Sequence, residues 1–130
     1  MSEAFQDTIL VVDDEATVLN FCKLILTRGG YRVVEARSGP EALRLLKAEE
    51  APIRLALVDV VMPEMNGFEL AKHLRTLDPK TDILLMSGYS INEVRNLAGG
   101  DNPFRIIWKP FKTESLLRMI QNVLDAAPRS

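Results

Sequence analysis

Four short apolar runs in this 130-residue chain each lead into residues able to do chemistry. Ile9-Leu10-Val11-Val12 leads into Asp13-Asp14-Glu15, and Leu55-Ala56-Leu57-Val58 leads into Asp59. Ile83-Leu84-Leu85-Met86 leads into Ser87-Gly88, and Ile106-Ile107-Trp108 leads into Lys109-Pro110. Asp13, Asp14 and Asp59, if gathered together, would repel one another strongly. A hard divalent cation with oxygen ligands resolves that conflict. Mg²⁺ suits it, because it keeps waters and needs few protein carboxylates. A carboxylate such as Asp59 can also act as a nucleophile and form an aspartyl-phosphate. The cation would then neutralise the incoming phosphoryl group. Ser87 could hydrogen-bond one phosphoryl oxygen and Lys109 another, and Gly88 leaves room above them. Taken singly, each of these is a common cap, turn or surface residue. Their joint occurrence, in order, after successive apolar runs is what points to a site.

The elements that must position them read as alternating strands and helices. Strands are expected at Thr8–Val12, Tyr31–Glu35, Leu55–Val58, Asp82–Met86 and Arg105–Trp108. Runs apolar at successive positions suit strands covered on both faces. Between them, Val18, Phe21, Cys22, Ile25 and Leu26 form one apolar helical face, which stops at Gly29-Gly30. Ser38 and Glu41 have capping-box spacing for a second helix. A third helix is expected from Asn66-Gly67 to Asp78-Pro79, and a short fourth from Ser90 to about Leu97. A fifth is expected from Thr113, acting as its cap, to about Ala126. Such alternation predicts an α/β, flavodoxin-like, doubly wound domain: a five-stranded parallel sheet in order 2-1-3-4-5 with five helices. Ligands bind such sheets at the carboxyl ends of the strands, where the candidate residues stand.

Composition narrows the function classes. Sixteen basic residues against 18 acidic ones give a net charge of −2, without the basic footprint that nucleic-acid binding leaves. No apolar run is long enough to span a membrane. The polar segment 1–7 lacks a secretory pattern, so a cytoplasmic protein is the default expectation. The lone Cys22 cannot form an internal disulfide and reads as a small buried hydrophobe. His73 reads as a helix-surface histidine.

Ile9–Glu15, Val58–Leu70, Met86–Tyr89 and Lys109-Pro110-Phe111 together resemble the motif set of bacterial response-regulator receiver domains, of the chemotaxis-regulator-like kind. The resemblance covers Thr8 to Leu124. It implies that Asp59 accepts a phosphoryl group from a phosphohistidine on a sensor histidine kinase or histidine phosphotransfer protein. It implies that Asp14 binds Mg²⁺ directly, Asp13 mainly through water, and Asp59 and the Val61 carbonyl as further ligands; Mn²⁺ could substitute. Ser87 would be the switch hydroxyl and Lys109 would bridge to the phosphate. The Lys109–Pro110 bond would be cis. Such a protein is a signalling phospho-acceptor rather than an enzyme, promoting only its own phosphorylation and dephosphorylation. It would switch a helix 4–strand 5–helix 5 surface toward a downstream protein, as a monomer or weak dimer, with no direct nucleic-acid or membrane contact.

One position departs from the family pattern. The family carries Tyr or Phe three residues before the lysine, where this chain has Ile106. Switching is therefore expected to rely on Ser87, the helix 4 region and Tyr89. An apolar Val61 offers no group to position water, so modest self-dephosphorylation is expected. Gly67 is expected to supply a positive φ before helix 3. Met62 and Met65 are expected to pack rather than ligate, and Trp108 to be partly packed at the sheet edge.

Three other readings fit less well. A haloacid-dehalogenase-type enzyme needs Asp-x-Asp after strand 1, where Asp13-Asp14-Glu15 stands. An FMN carrier needs a hydroxyl- and glycine-rich loop there, and an acidic loop would repel the phosphate. A degenerate receiver would lack an acceptor residue. The expected organisation is an extension at 1–7, a receiver domain at 8–125 and a tail at 126–130. A stand-alone regulator, a phosphorelay intermediate and a segment of a hybrid kinase all remain open.

Overall fold

The computed structural model describes residues 7–48 and 52–126. Five strands and five helices alternate along the chain: β1 (Thr8–Val12), α1 (Ala16–Arg28), β2 (Arg32–Ala36), α2 (Gly39–Ala48) and β3 (Ile53–Asp59), then α3 (Gly67–Leu77), β4 (Asp82–Ser87), α4 (Ile91–Ala98), β5 (Arg105–Trp108) and α5 (Thr113–Ala126). The strands form one parallel sheet in order β2-β1-β3-β4-β5, as the alternation predicts. Apart from Asp7 and Ala126, the expected extension and tail lie outside the described residues.

The central strands have no polar face because the sheet is covered on both sides. Leu10, Val12, Ala56, Val58 and Leu85 face one core, completed by Ala42 of α2, by Phe68, Leu70, Ala71 and Leu74 of α3, and by Val94 of α4. Ile9, Val11, Leu55, Leu57, Leu84 and Met86 face the other. Leu19, Cys22, Ile25 and Leu26 of α1 and Leu116, Ile120, Val123 and Leu124 of α5 complete it. The alternation of strand side chains sorts these residues between the two cores.

Several boundaries and caps differ from expectation. β2 runs one residue later than predicted, β3 starts at Ile53 rather than Leu55 and includes Asp59, and β4 includes Ser87. Thr113 is the first residue of α5 rather than its cap; Lys112 supplies the first carbonyl, bonded by the Leu116 N–H at 3.1 Å. At α2, Ser38 Oγ accepts the Glu41 N–H at 3.2 Å, as a cap should. The Glu41 carboxylate instead accepts the Arg37 N–H at 2.6 Å, one residue outside the usual box. Both α3 and α4 have full capping boxes, Asn66–Glu69 and Ser90–Glu93. Gly99 ends α4 at φ 77°, a conformation that glycine adopts without penalty.

Candidate functional site

β1 and β3 pair in register from Ile9↔Leu55 to Val12↔Val58. Asp13 and Asp59 therefore leave adjacent strands at the same level. The Asp13 N–H bonds Ala36 O at 3.1 Å, and Asp13 Oδ1 accepts the Glu15 N–H at 2.9 Å. These bonds fix the acidic turn between β1 and α1. Asp59 pairs with Met86, so Ser87 stands one residue further along the neighbouring strand. The Lys109 N–H donates to Ser87 O at 2.7 Å, which fixes the start of the loop after β5.

Side-chain oxygens of Asp13, Asp14 and Asp59 all lie within 4.8 Å of one another. Asp13 is fully buried and Asp59 nearly so. Lys109 Nζ donates to Asp59 Oδ1 at 2.9 Å and reaches Asp13 Oδ2 at 3.5 Å. One ammonium thus faces three carboxylates, two of them out of water, and negative charge remains uncompensated. Burial drives the Asp59 carboxyl up to about 6, and the Asp13 and Asp14 charges add to this against the pull of Lys109. Burial also raises Asp13 above its usual range. Burial works against the Lys109 charge, but Asp59 and then Asp13 outweigh it and hold the ammonium above its ordinary value.

This donor set fits a hard divalent cation: oxygen-only ligands, closely grouped, with an excess of negative charge. Asp13, Asp14 and Asp59 would hold it. No backbone hydrogen bond among the described residues ends on the Val61 carbonyl, which leaves that oxygen available. The loop carrying Val61 is drawn tight by two bonds, Val60 N–H to Met86 O at 2.9 Å and Gly67 N–H to Val60 O at 2.8 Å. Gly67 is required there for closeness, not for the expected positive φ: a Cβ on it would run into the Asp59 carbonyl and lie 2.8 Å from Val60 Cα. The left-handed residue of this loop is Glu64, at φ 70°.

The remaining residues sort as follows. Ser87 is buried, and its Oγ accepts the Tyr89 N–H at 3.0 Å, leaving the hydroxyl hydrogen to donate elsewhere. The Lys109–Pro110 bond is cis. Met62 is buried and Met65 packs on the same core, neither among the carboxylates. His73 is exposed. Cys22 is buried in apolar surroundings that push its thiol up to about 12. Ile106 packs on the core under α2–α4, and Phe104 is buried with the Arg75 guanidinium 4.5 Å above its ring. Phe104 precedes β5, at the end of that strand away from Lys109. Trp108 is partly packed, with 40 % of its surface exposed. Arg37 was not anticipated. It follows β2 and donates from Nη2 to the Asp14 carbonyl at 3.0 Å, tying the acidic turn from the outer strand. Its position after the strand beside β1 was the only sequence signal.

Residues 9–121 match the response regulator receiver domain family. The chain is 31 % identical over 119 residues to the response regulator receiver protein CpdR of Brucella abortus, covering 92 % of this chain and 98 % of that one. It is 33 % identical over 120 residues to the response regulator GtcR of Aneurinibacillus migulanus; that match covers 92 % of this chain but only about half of GtcR, 48 %. Among solved structures it resembles a response regulator receiver protein from Sinorhizobium medicae, with a TM-score of 0.81 and 30 % identity over 95 % of this chain and 98 % of that one. Among the described residues no helix is long and apolar enough to cross a membrane. With the strand order, the clustered carboxylates and these likenesses together, the chain belongs to the response-regulator receiver-domain family of two-component systems.

Proposed function

We propose that Asp59 accepts a phosphoryl group from a phosphohistidine on a sensor histidine kinase or histidine phosphotransfer protein. The observation that carries this reading is the Asp13–Asp14–Asp59 cluster with Lys109 bonded to Asp59. In the transfer an Asp59 carboxylate oxygen forms a bond to phosphorus as the phosphorus–nitrogen bond breaks. The electron pair of the broken bond stays on the imidazole, which takes up a proton. Asp59 is ionised at neutral pH, being held at about 6, and so is ready to attack.

Mg²⁺, held by Asp13, Asp14, Asp59 and the Val61 carbonyl, would supply positive charge to the phosphoryl oxygens. Lys109 supplies a second positive charge, released from Asp59 toward a phosphoryl oxygen once the carboxylate has become an acyl phosphate. Ser87 donates its hydroxyl hydrogen to another. The chain acts on itself alone, gaining and losing its own phosphoryl group, and the altered surface around α4, β5 and α5 is read by a protein partner.

The test is intact mass after incubation with acetyl phosphate and Mg²⁺, beside an Asp59→Asn control. One added phosphoryl group that requires the cation and is absent from the control is the expected result. A folded protein that binds Mg²⁺ and gains no mass would reject the acceptor role.

A further inference from the structure

Arg37 is exposed and stands one residue beyond β2, outside the acidic cluster. Its side chain nevertheless crosses to the neighbouring turn, where Nη2 donates to the Asp14 carbonyl at 3.0 Å. Among the described residues no backbone N–H reaches that carbonyl. Asp14 lies ahead of α1, whose ladder begins on Glu15 O with the Leu19 N–H at 3.1 Å. The other polar group of the same peptide unit, the Glu15 N–H, donates to Asp13 Oδ1 at 2.9 Å. A peptide unit is planar, so its two ends turn together. The Asp14–Glu15 peptide is thus gripped at its oxygen by Arg37 and at its nitrogen by Asp13.

The grip matters because Asp14 is held in no other way. Asp13 is anchored through its N–H and its Oδ1, and Asp59 through Lys109. Among the described residues no hydrogen bond ends on the Asp14 carboxylate, and it is the least buried of the three. Its place within 4.8 Å of the other two is set by the backbone that Arg37 holds. Two like-charged neighbours push it outward when no cation balances them. Rotation of the peptide would let it go and would strip the Glu15 N–H from Asp13. The anchor is itself braced from α2: the Arg37 N–H donates to Glu41 Oε1 at 2.6 Å, and the Glu41 N–H to Ser38 Oγ at 3.2 Å.

We propose that Arg37 is a positioning residue of the acceptor site: through the Asp14–Glu15 peptide it keeps the Asp14 carboxylate where one divalent cation meets all three carboxylates. The inference rests on the cation-binding role given to the cluster above. Charge alone would give Arg37 the opposite effect, since a guanidinium beside an acidic cluster works against a second cation there. The sign of the change on removing Arg37 therefore separates positioning from electrostatics.

Mg²⁺ affinity of the full chain is measured by calorimetric titration for the wild type, Arg37→Met and Arg37→Lys. Phosphorylation by acetyl phosphate is followed by intact mass over a range of Mg²⁺ concentrations. Methionine keeps the stem of this exposed side chain and removes donor and charge together, whereas lysine keeps the charge and a shorter donor. Arg37→Met should weaken Mg²⁺ binding about ten-fold, the low end for loss of a group that orients a metal ligand. It should raise the Mg²⁺ concentration for half-maximal phosphorylation by the same factor and leave the rate at saturating Mg²⁺ unchanged. Arg37→Lys should recover part of the affinity although its charge opposes the cation. Equal or tighter binding in Arg37→Met overturns the proposal, as does a rate still depressed at saturating Mg²⁺. Arg37→Lys binding no better than Arg37→Met overturns the part given to the hydrogen bond. A wild type that binds Mg²⁺ but gains no mass rejects the acceptor role, while weaker binding in Arg37→Met would still uphold the positioning role. A wild type that binds no Mg²⁺ overturns the cation site and this proposal with it.

Discussion

Burial lifts the Asp59 carboxyl from 3.8 to about 6, with the Asp13 and Asp14 charges acting in the same direction and Lys109 against them. An acid whose folded value lies above its unfolded one binds protons preferentially in the fold. The stability this gives is fully present below about pH 3.8 and is lost as pH rises through about 6. Ionised Asp59 therefore opposes folding at neutral pH. Without divalent cation, Asp59→Asn should stabilise the protein by about 1–3 kcal/mol at pH 7, the lost pair with Lys109 setting the low end. Urea unfolding of both proteins checks this, and the difference should shrink toward zero at pH 4. Wild-type stability equal to the variant's at pH 7 would show that Lys109 fully offsets the burial. At this scale the site was legible: Asp59 and Ser87 close their strands and Asp13, Asp14 and Lys109 stand just beyond theirs, and the end of a parallel strand is where ligands bind. Arg37 was not, because its bond is to a backbone carbonyl that any residue at position 14 would offer.

The loop between β3 and α3 is built by close approach. Gly67 sits against the Asp59 carbonyl and the Val60 backbone, and neither can retreat without shifting the acceptor strand. Gly67→Ala should destabilise by about 1–3 kcal/mol through overpacking and should weaken Mg²⁺ binding, which calorimetric titration would detect. Unchanged affinity together with unchanged stability would show that the loop can yield. Glu64 presents the opposite case, a side chain in the left-handed region at φ 70°. Glu64→Asn should gain about 0.5–1 kcal/mol, since Asn tolerates that region far better, and thermal melts would register the gain. A loss would reveal a contact of the Glu64 side chain that outweighs the strain. The presence of Gly in this loop was legible, but its reason was not. Positive φ and steric closeness favour the same residue, and only the fold brings residue 67 against residue 59. The same holds at α5: Thr113 has a capping side chain, yet it is the first residue of the helix, and the cap position falls to Lys112, whose carbonyl takes the first bond.

Across the whole molecule, the order β2-β1-β3-β4-β5 makes β1 and β3 neighbours although α1, β2 and α2 separate them in the chain. That crossover gathers Asp13, Asp14 and Asp59, and the apolar runs that dictated it also bury two of the three carboxylates. Fold and site were legible together for this reason: one pattern of apolar residues produces both. The way α4 is seated was not legible, because a helix with a single buried residue leaves little hydrophobic signal. The price of gathering carboxylates out of water is that protons and cations compete for them. If Mg²⁺ binds the folded protein alone, a concentration of 100 times its Kd adds about 2.7 kcal/mol to stability. Asp59 must be ionised to serve as a ligand. With its value at about 6, lowering the pH from 7 to 5 cuts its ionised fraction roughly ten-fold, so the same Mg²⁺ concentration should add about 1.4 kcal/mol less at pH 5. Urea unfolding with and without Mg²⁺ at the two pH values measures this directly. In Asp59→Asn most of that pH dependence should vanish, leaving the smaller part due to Asp13, which burial also raises. An undiminished dependence in the variant would move the controlling proton from Asp59 to Asp13.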